Sequence, residues 1–98
     1  MPSLDPATAQ PVLEVRKVGP NRIHLGWHKY KFGGVKIYVD RGDGAGPQYL
    51  VTDTVPDYDD THAWPATPQT WTYTAVYLLN DVEIGLMSAP VSIDVSAA

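Results

Sequence analysis

Arg22-Ile23-His24-Leu25-Gly26-Trp27 alternates without a break. Ile23, Leu25 and Trp27 point one way, and Arg22, His24 and Gly26 the other. Period two is the signature of a β-strand with one buried face and one wet face. A second run, Val35-Lys36-Ile37-Tyr38-Val39, repeats the pattern, with Val35, Ile37 and Val39 on its apolar side. A third is longer: Trp71, Tyr73, Ala75, Tyr77 and Leu79 line one face of a continuous strand. Together Ile23, Leu25, Trp27, Val35, Ile37, Val39, Trp71 and Tyr73 are the expected core.

Working outward, turn residues separate these runs. Val12, Leu13 and Val15 begin a first strand that ends near Val18, and Gly19-Pro20-Asn21 turns the chain. Lys29 to Gly34 is polar, ends in Gly-Gly and is expected to be a loop, as is Asp40 to Pro47. Tyr49 to Val55 is rich in β-formers, and a short strand is expected around Tyr58. Asn80-Asp81 suits a two-residue hairpin turn, which would set Leu79 opposite Val82 and Tyr77 opposite Ile84. Gly85 is expected to be a bulge, and Pro90 to Val95 closes the sheet. No long segment carries helical spacing. The order is that of an all-β, seven-stranded antiparallel β-sandwich.

Bulk properties bound the rest. The 98 residues suit one domain with a single core. The segment 1–10 is expected to be a flexible N-terminal linker and 11–96 the domain, cut from a longer protein and given a start methionine. It has no signal-peptide pattern. Net charge is −4 and the seven Lys and Arg are scattered, so no basic stripe meets nucleic acid. No apolar run is long enough to insert in a membrane. There is no cysteine, so packing alone must hold the fold.

These motifs resemble a fibronectin type III domain, of the immunoglobulin-like sandwich class. Ile23 to Trp27 is similar to that family's strand with its buried tryptophan, and Val35 to Val39 to its next strand. Trp64 to Tyr77 looks like its proline turn and aromatic-led strand, and Gly85, Ser88, Pro90 and Val91 like the entry to its last strand. Thr52-Asp53-Thr54 with Tyr58 and Asp60 is similar to bacterial members, so a bacterial or phage-type member is expected. One departure stands out. Trp71 takes the place of the tyrosine that usually opens that strand, and an indole brings no hydroxyl to the corner hydrogen bond. The resemblance implies a non-catalytic module, a spacer or protein-interaction domain of a larger extracellular, cell-surface or virion protein. A monomer is expected, meeting a protein partner or neighbouring domains of the parent chain. The alternative it leaves open is a carbohydrate-binding accessory module of a secreted glycoside-active enzyme, with Trp64 and Trp71 as stacking platforms if exposed.

Chemistry-bearing patterns are weak. Arg41-Gly42-Asp43 spells an adhesive tripeptide but follows the third strand, whereas the family carries it between the last two, so a turn is the better reading. Asp53, Asp57, Asp59 and Asp60, near His62, lack calcium-loop spacing and are expected to be a solvated loop or guarded sheet edge. His24 and His28 are expected at the surface, about 13 Å apart on a strand and too far to share a metal. None of the serines at 3, 88, 92 and 96 sits in a nucleophile elbow. No catalytic residue, metal site or cofactor is expected. The candidate interaction surface is the last hairpin: Leu79, Val82, Ile84, Leu86 and Met87.

Overall fold

The computed structural model describes residues 9–29, 32–42 and 44–96. Their elements are β1 (Glu14–Gly19), β2 (Arg22–Gly26), β3 (Gly34–Asp40), β4 (Gln48–Asp53), β5 (Tyr58–Asp60), β6 (Gln69–Leu79), β7 (Val82–Ile84) and β8 (Val91–Val95). Among the described residues no helix is long and apolar enough to cross a membrane. One sheet runs β1-β2-β5. The other runs β4-β3-β6, with β7 and β8 both paired to β6. Every pairing is antiparallel. The architecture is a β-sandwich.

Eight elements occupy seven strand positions, for a physical reason. Leu79 to Tyr77 pair with Val82 to Ile84, and Tyr73 to Gln69 pair with Val91 to Val95. Ser88 fills the gap. Its N–H donates to the Ala75 carbonyl at 2.7 Å, and its Oγ accepts from the Ala75 N–H at 2.8 Å. β7 and β8 are thus one last strand, interrupted where Gly85 takes φ 73°. A left-handed residue cannot continue a pleated ladder, and glycine adopts it without steric cost.

The core lies between the sheets. All eight residues expected there are buried, and Leu13, Phe32, Ala75, Tyr77 and Val95 join them. Phe32 comes from the segment expected to be a polar loop. Its ring stacks on Tyr77 with centroids 4.3 Å apart, so a large aromatic there is buried in the core. The hairpin register is as the alternation predicts. Asn80 and Asp81 take φ 53° and 65°, the left-handed pair of a tight hairpin turn.

The expected linker falls partly outside the described residues, since 1–8 are not among them. Ala9 is 4% exposed, and its carbonyl accepts from the Leu86 N–H at 2.8 Å. Gln10 Nε2 donates to the Met87 carbonyl at 2.8 Å. The packed unit therefore takes in Ala9 and Gln10 as well as 11–96.

Candidate functional site

Three places on the sandwich gather polar or exposed apolar groups. The first is internal. Asp60, at the end of β5, is 2% exposed. Arg41 Nη1 donates to its Oδ2 at 3.1 Å and Nη2 to its Oδ1 at 3.4 Å. The Tyr73 hydroxyl donates to Oδ2 at 2.6 Å, and the His62 N–H to Oδ1 at 3.1 Å. The Arg41 guanidinium also lies 4.3 Å from the Trp71 ring centroid, a cation–π contact. Burial, and then the bond to Asp60, push the Tyr73 hydroxyl well above its ordinary range.

This network bears on two expectations. Of the two readings of the acidic stretch, solvated loop or guarded sheet edge, Asp60 falls on the second, at the end of the edge strand β5. It is a buried carboxylate whose desolvation is offset by donors on every side. At the corner, Trp71 brings no hydroxyl, and Tyr73, two residues on, gives its own to the Asp60 side chain. The Trp71 indole N–H is buried with no partner among the described residues. The network also engages the first residue of the Arg41-Gly42-Asp43 tripeptide: Arg41 faces inward to Asp60. Asp43 lies outside the described residues.

The second place is the outer face of β1-β2-β5. His24 is half-buried, with Nδ1 2.8 Å from Asp59 Oδ1 and Nε2 3.0 Å from Asp57 Oδ2. The bond to Asp59 raises its pKa, partial burial opposes that rise, and Asp57 adds to it. Two β-branched or apolar neighbours, Val12 and Val15, and the charged Glu14 and Arg16 line a groove of about 310 Å³ beside it, together with Trp27 and His28. Asp53 accepts from the Trp27 indole N–H at 2.8 Å. Asp53, Asp57, Asp59 and Asp60 therefore all accept hydrogen bonds from the domain, and Asp57 and Asp59 do so while exposed at the edge of the sheet. His24 is not a plain surface histidine. The alternation places His24 on an outward face with Arg22 and Gly26, but Asp59 comes beside it only through the pairing of β2 with β5. No group of three or more His, Asp or Glu side chains among the described residues is placed to hold a metal.

The third place is the last hairpin. Val82 is 61%, Leu86 51% and Met87 43% exposed. Leu79 and Ile84 are only partly exposed and pack against the core. The candidate surface thus divides: two residues extend the core, and three stand outside it, of which Leu86 and Met87 adjoin the docked Ala9–Gln10 segment. On the opposite sheet face the Tyr38 hydroxyl donates to Glu83 Oε2 at 2.6 Å. That bond, then burial, pushes the phenol up to about 12.

The tryptophans settle into the framework. Trp27 and Trp71 are buried. Trp64 is half-buried, packs against the core, and has Lys17 Nζ 6.0 Å from its ring centroid. Neither Trp64 nor Trp71 lies flat and open on the surface. Ser88 Oγ is buried in the ladder, and Ser92 Oγ bonds the Thr72 hydroxyl at 2.8 Å.

No protein-family model matches the chain, and no curated protein sequence matches it. Solved structures do. A Fn3-like protein from Clostridium thermocellum is 23% identical, over 88% of this chain and 91% of that one, with a TM-score of 0.68. A myokine is 15% identical, over 91% and 98%, with a TM-score of 0.69. The FN3tt mutant is 16% identical, over 90% and 93%, with a TM-score of 0.57. At these identities the likeness is one of fold: the chain has the fibronectin type III fold.

Proposed function

We propose that this fibronectin type III fold serves as a non-catalytic module, a spacer or protein-interaction domain within a larger extracellular, surface or phage structural protein. The observation that carries the reading is the exposed trio Val82, Leu86 and Met87. All three lie on or just after the last hairpin, and Leu86 and Met87 adjoin the point where Ala9 and Gln10 dock. The polar groups elsewhere are turned to structural pairing, which supports a non-catalytic role. A fold alone assigns no function, so the proposal stands on the patch.

A photo-crosslinking residue at position 86 or 82, in the parent polypeptide, tests it. Adducts to a protein partner or a neighbouring domain are expected from both positions, with far fewer from a control at Tyr49 on β4. Adducts only from the control would overturn the assignment of the patch. The carbohydrate alternative draws less support, because Trp71 is buried and Lys17 lies near the Trp64 ring. Titration of the domain against a glycan panel, followed by tryptophan fluorescence, separates the two readings. An intensity change on glycan addition would restore the alternative.

A further inference from the structure

β5 is a three-residue edge strand, joined to β2 by the pairs Ile23–Asp60, His24–Asp59 and Leu25–Tyr58. So short a ladder needs other anchors. Its C-terminal end has them: Asp60 is buried and bound by Arg41 and Tyr73. Its N-terminal end leans on His24, which reaches Asp59 at 2.8 Å and Asp57 at 3.0 Å through its two ring nitrogens. The Trp27 N–H adds a long bond to Asp57 at 3.4 Å. A neutral imidazole carries a single N–H. It can donate to one of these carboxylates, and then turns a lone pair toward the other. Only imidazolium donates to both.

We propose that His24 is a proton-operated latch on the free end of β5. With the proton bound, both carboxylates are held and residues 57–59 lie fixed along β2. With the proton lost, one bond becomes lone pair against carboxylate, and that end loosens about the buried anchor at Asp60. The outer edge of β2 is then less well covered.

The charged surroundings favour the protonated form. From β5 and the turn before it come Asp57 and Asp59, in hydrogen-bond contact. From β1 come Arg16, which is opposite His24, and Glu14, which is one pair farther along the same face. Arg22 stands on the same face of β2, and His28 lines the groove beside it. Arg16, Arg22 and a charged His28 oppose a second positive charge, and Glu14 supports it. The two bonded carboxylates prevail, and the histidine pKa lies above its ordinary 6.5. The sign follows. A raised basic group stabilises the fold fully below its unfolded pKa and loses that contribution as pH rises through the folded value. The latch is therefore closed in mildly acid solution and opens on the alkaline side of 6.5.

Nitrogen-resolved NMR of the imidazoles in the intact domain, from about pH 5 to pH 9, tests this. His24 is expected to hold protons on both nitrogens at the acid end and to titrate with a midpoint above 6.5. The backbone amides of Asp57, Tyr58 and Asp59 should move with the same midpoint while that of Asp60 stays still. Asp59→Asn should lower the midpoint, and the melting-temperature gap between wild type and His24→Gln should close as pH rises. A His24 midpoint at or below 6.5, or amides of 57–59 indifferent to its titration, would overturn the proposal.

Discussion

Asp60 shows how much one side chain can organise. Its carboxylate takes donors from Arg41, Tyr73 and His62 while nearly sealed from water. Removing one partner of such a pair leaves the other charge buried and unpaired. Asp60→Ala is expected to cost about 3–5 kcal/mol, read as a lower urea midpoint with an unchanged slope. Tyr73→Phe deletes one bond to the carboxylate and should cost less, about 1.5–3 kcal/mol. A comparable or larger loss from the Tyr73 change would mean that its hydroxyl, and not the ion pair, is the main support. Trp27→Ala removes both a buried ring and the indole donor to Asp53, and is expected to cost about 3–5 kcal/mol. An unaltered melt for that variant would show the ring to be peripheral.

At the scale of elements, the final strand repays inspection. Ser88 supplies both a backbone donor and a side-chain acceptor to Ala75, so β6 stays paired across the break between β7 and β8. Ser88→Ala leaves the Ala75 N–H buried without an acceptor, at a cost of about 1–3 kcal/mol. Faster hydrogen exchange at the Ala75 amide is the specific readout. If that amide exchanges as before, something else satisfies it.

The elements were legible in the sequence because period two and turn chemistry act locally. Arg22 to Trp27, Val35 to Val39 and Trp71 to Leu79 declared their buried faces, and Asn80-Asp81 declared its turn. The side-chain networks were not legible. His24 and Asp59 are 35 positions apart, and Arg41 and Asp60 are 19 apart. Nothing in a local pattern says that β5 will place one aspartate outward on His24 and the next inward on Arg41. A run of four acids looks solvated until pairing alternates their directions. Phe32 was hidden for the opposite reason, one aromatic inside a polar stretch. The exposed part of the hairpin could be named from its apolar residues, but not divided into core and surface, since that depends on where the opposing sheet ends.

For the molecule as a whole, alkaline solution is the informative stress. Tyr73 is held neutral in the fold by burial and by Asp60. In the unfolded chain it ionises near the ordinary 10.0. Above that pH the folded form therefore binds more protons than the unfolded one, and stability falls as pH rises. Phenolate absorbance should show Tyr38 titrating near 12, and Tyr73 ionising only with cooperative unfolding. Replacing Tyr73 by Phe should flatten the alkaline decline. A decline of the same steepness in that variant would place its origin elsewhere.

The break between β7 and β8 also bears on how copies behave side by side. With Gly85 kinked, Ser88 turned to its own ladder and Pro90 lacking an amide hydrogen, that border is split into a three-residue and a five-residue stretch in place of one continuous row of backbone groups. Repeated along a tether or crowded on a particle, such units would meet only a short, interrupted template there for zipping into fibrils.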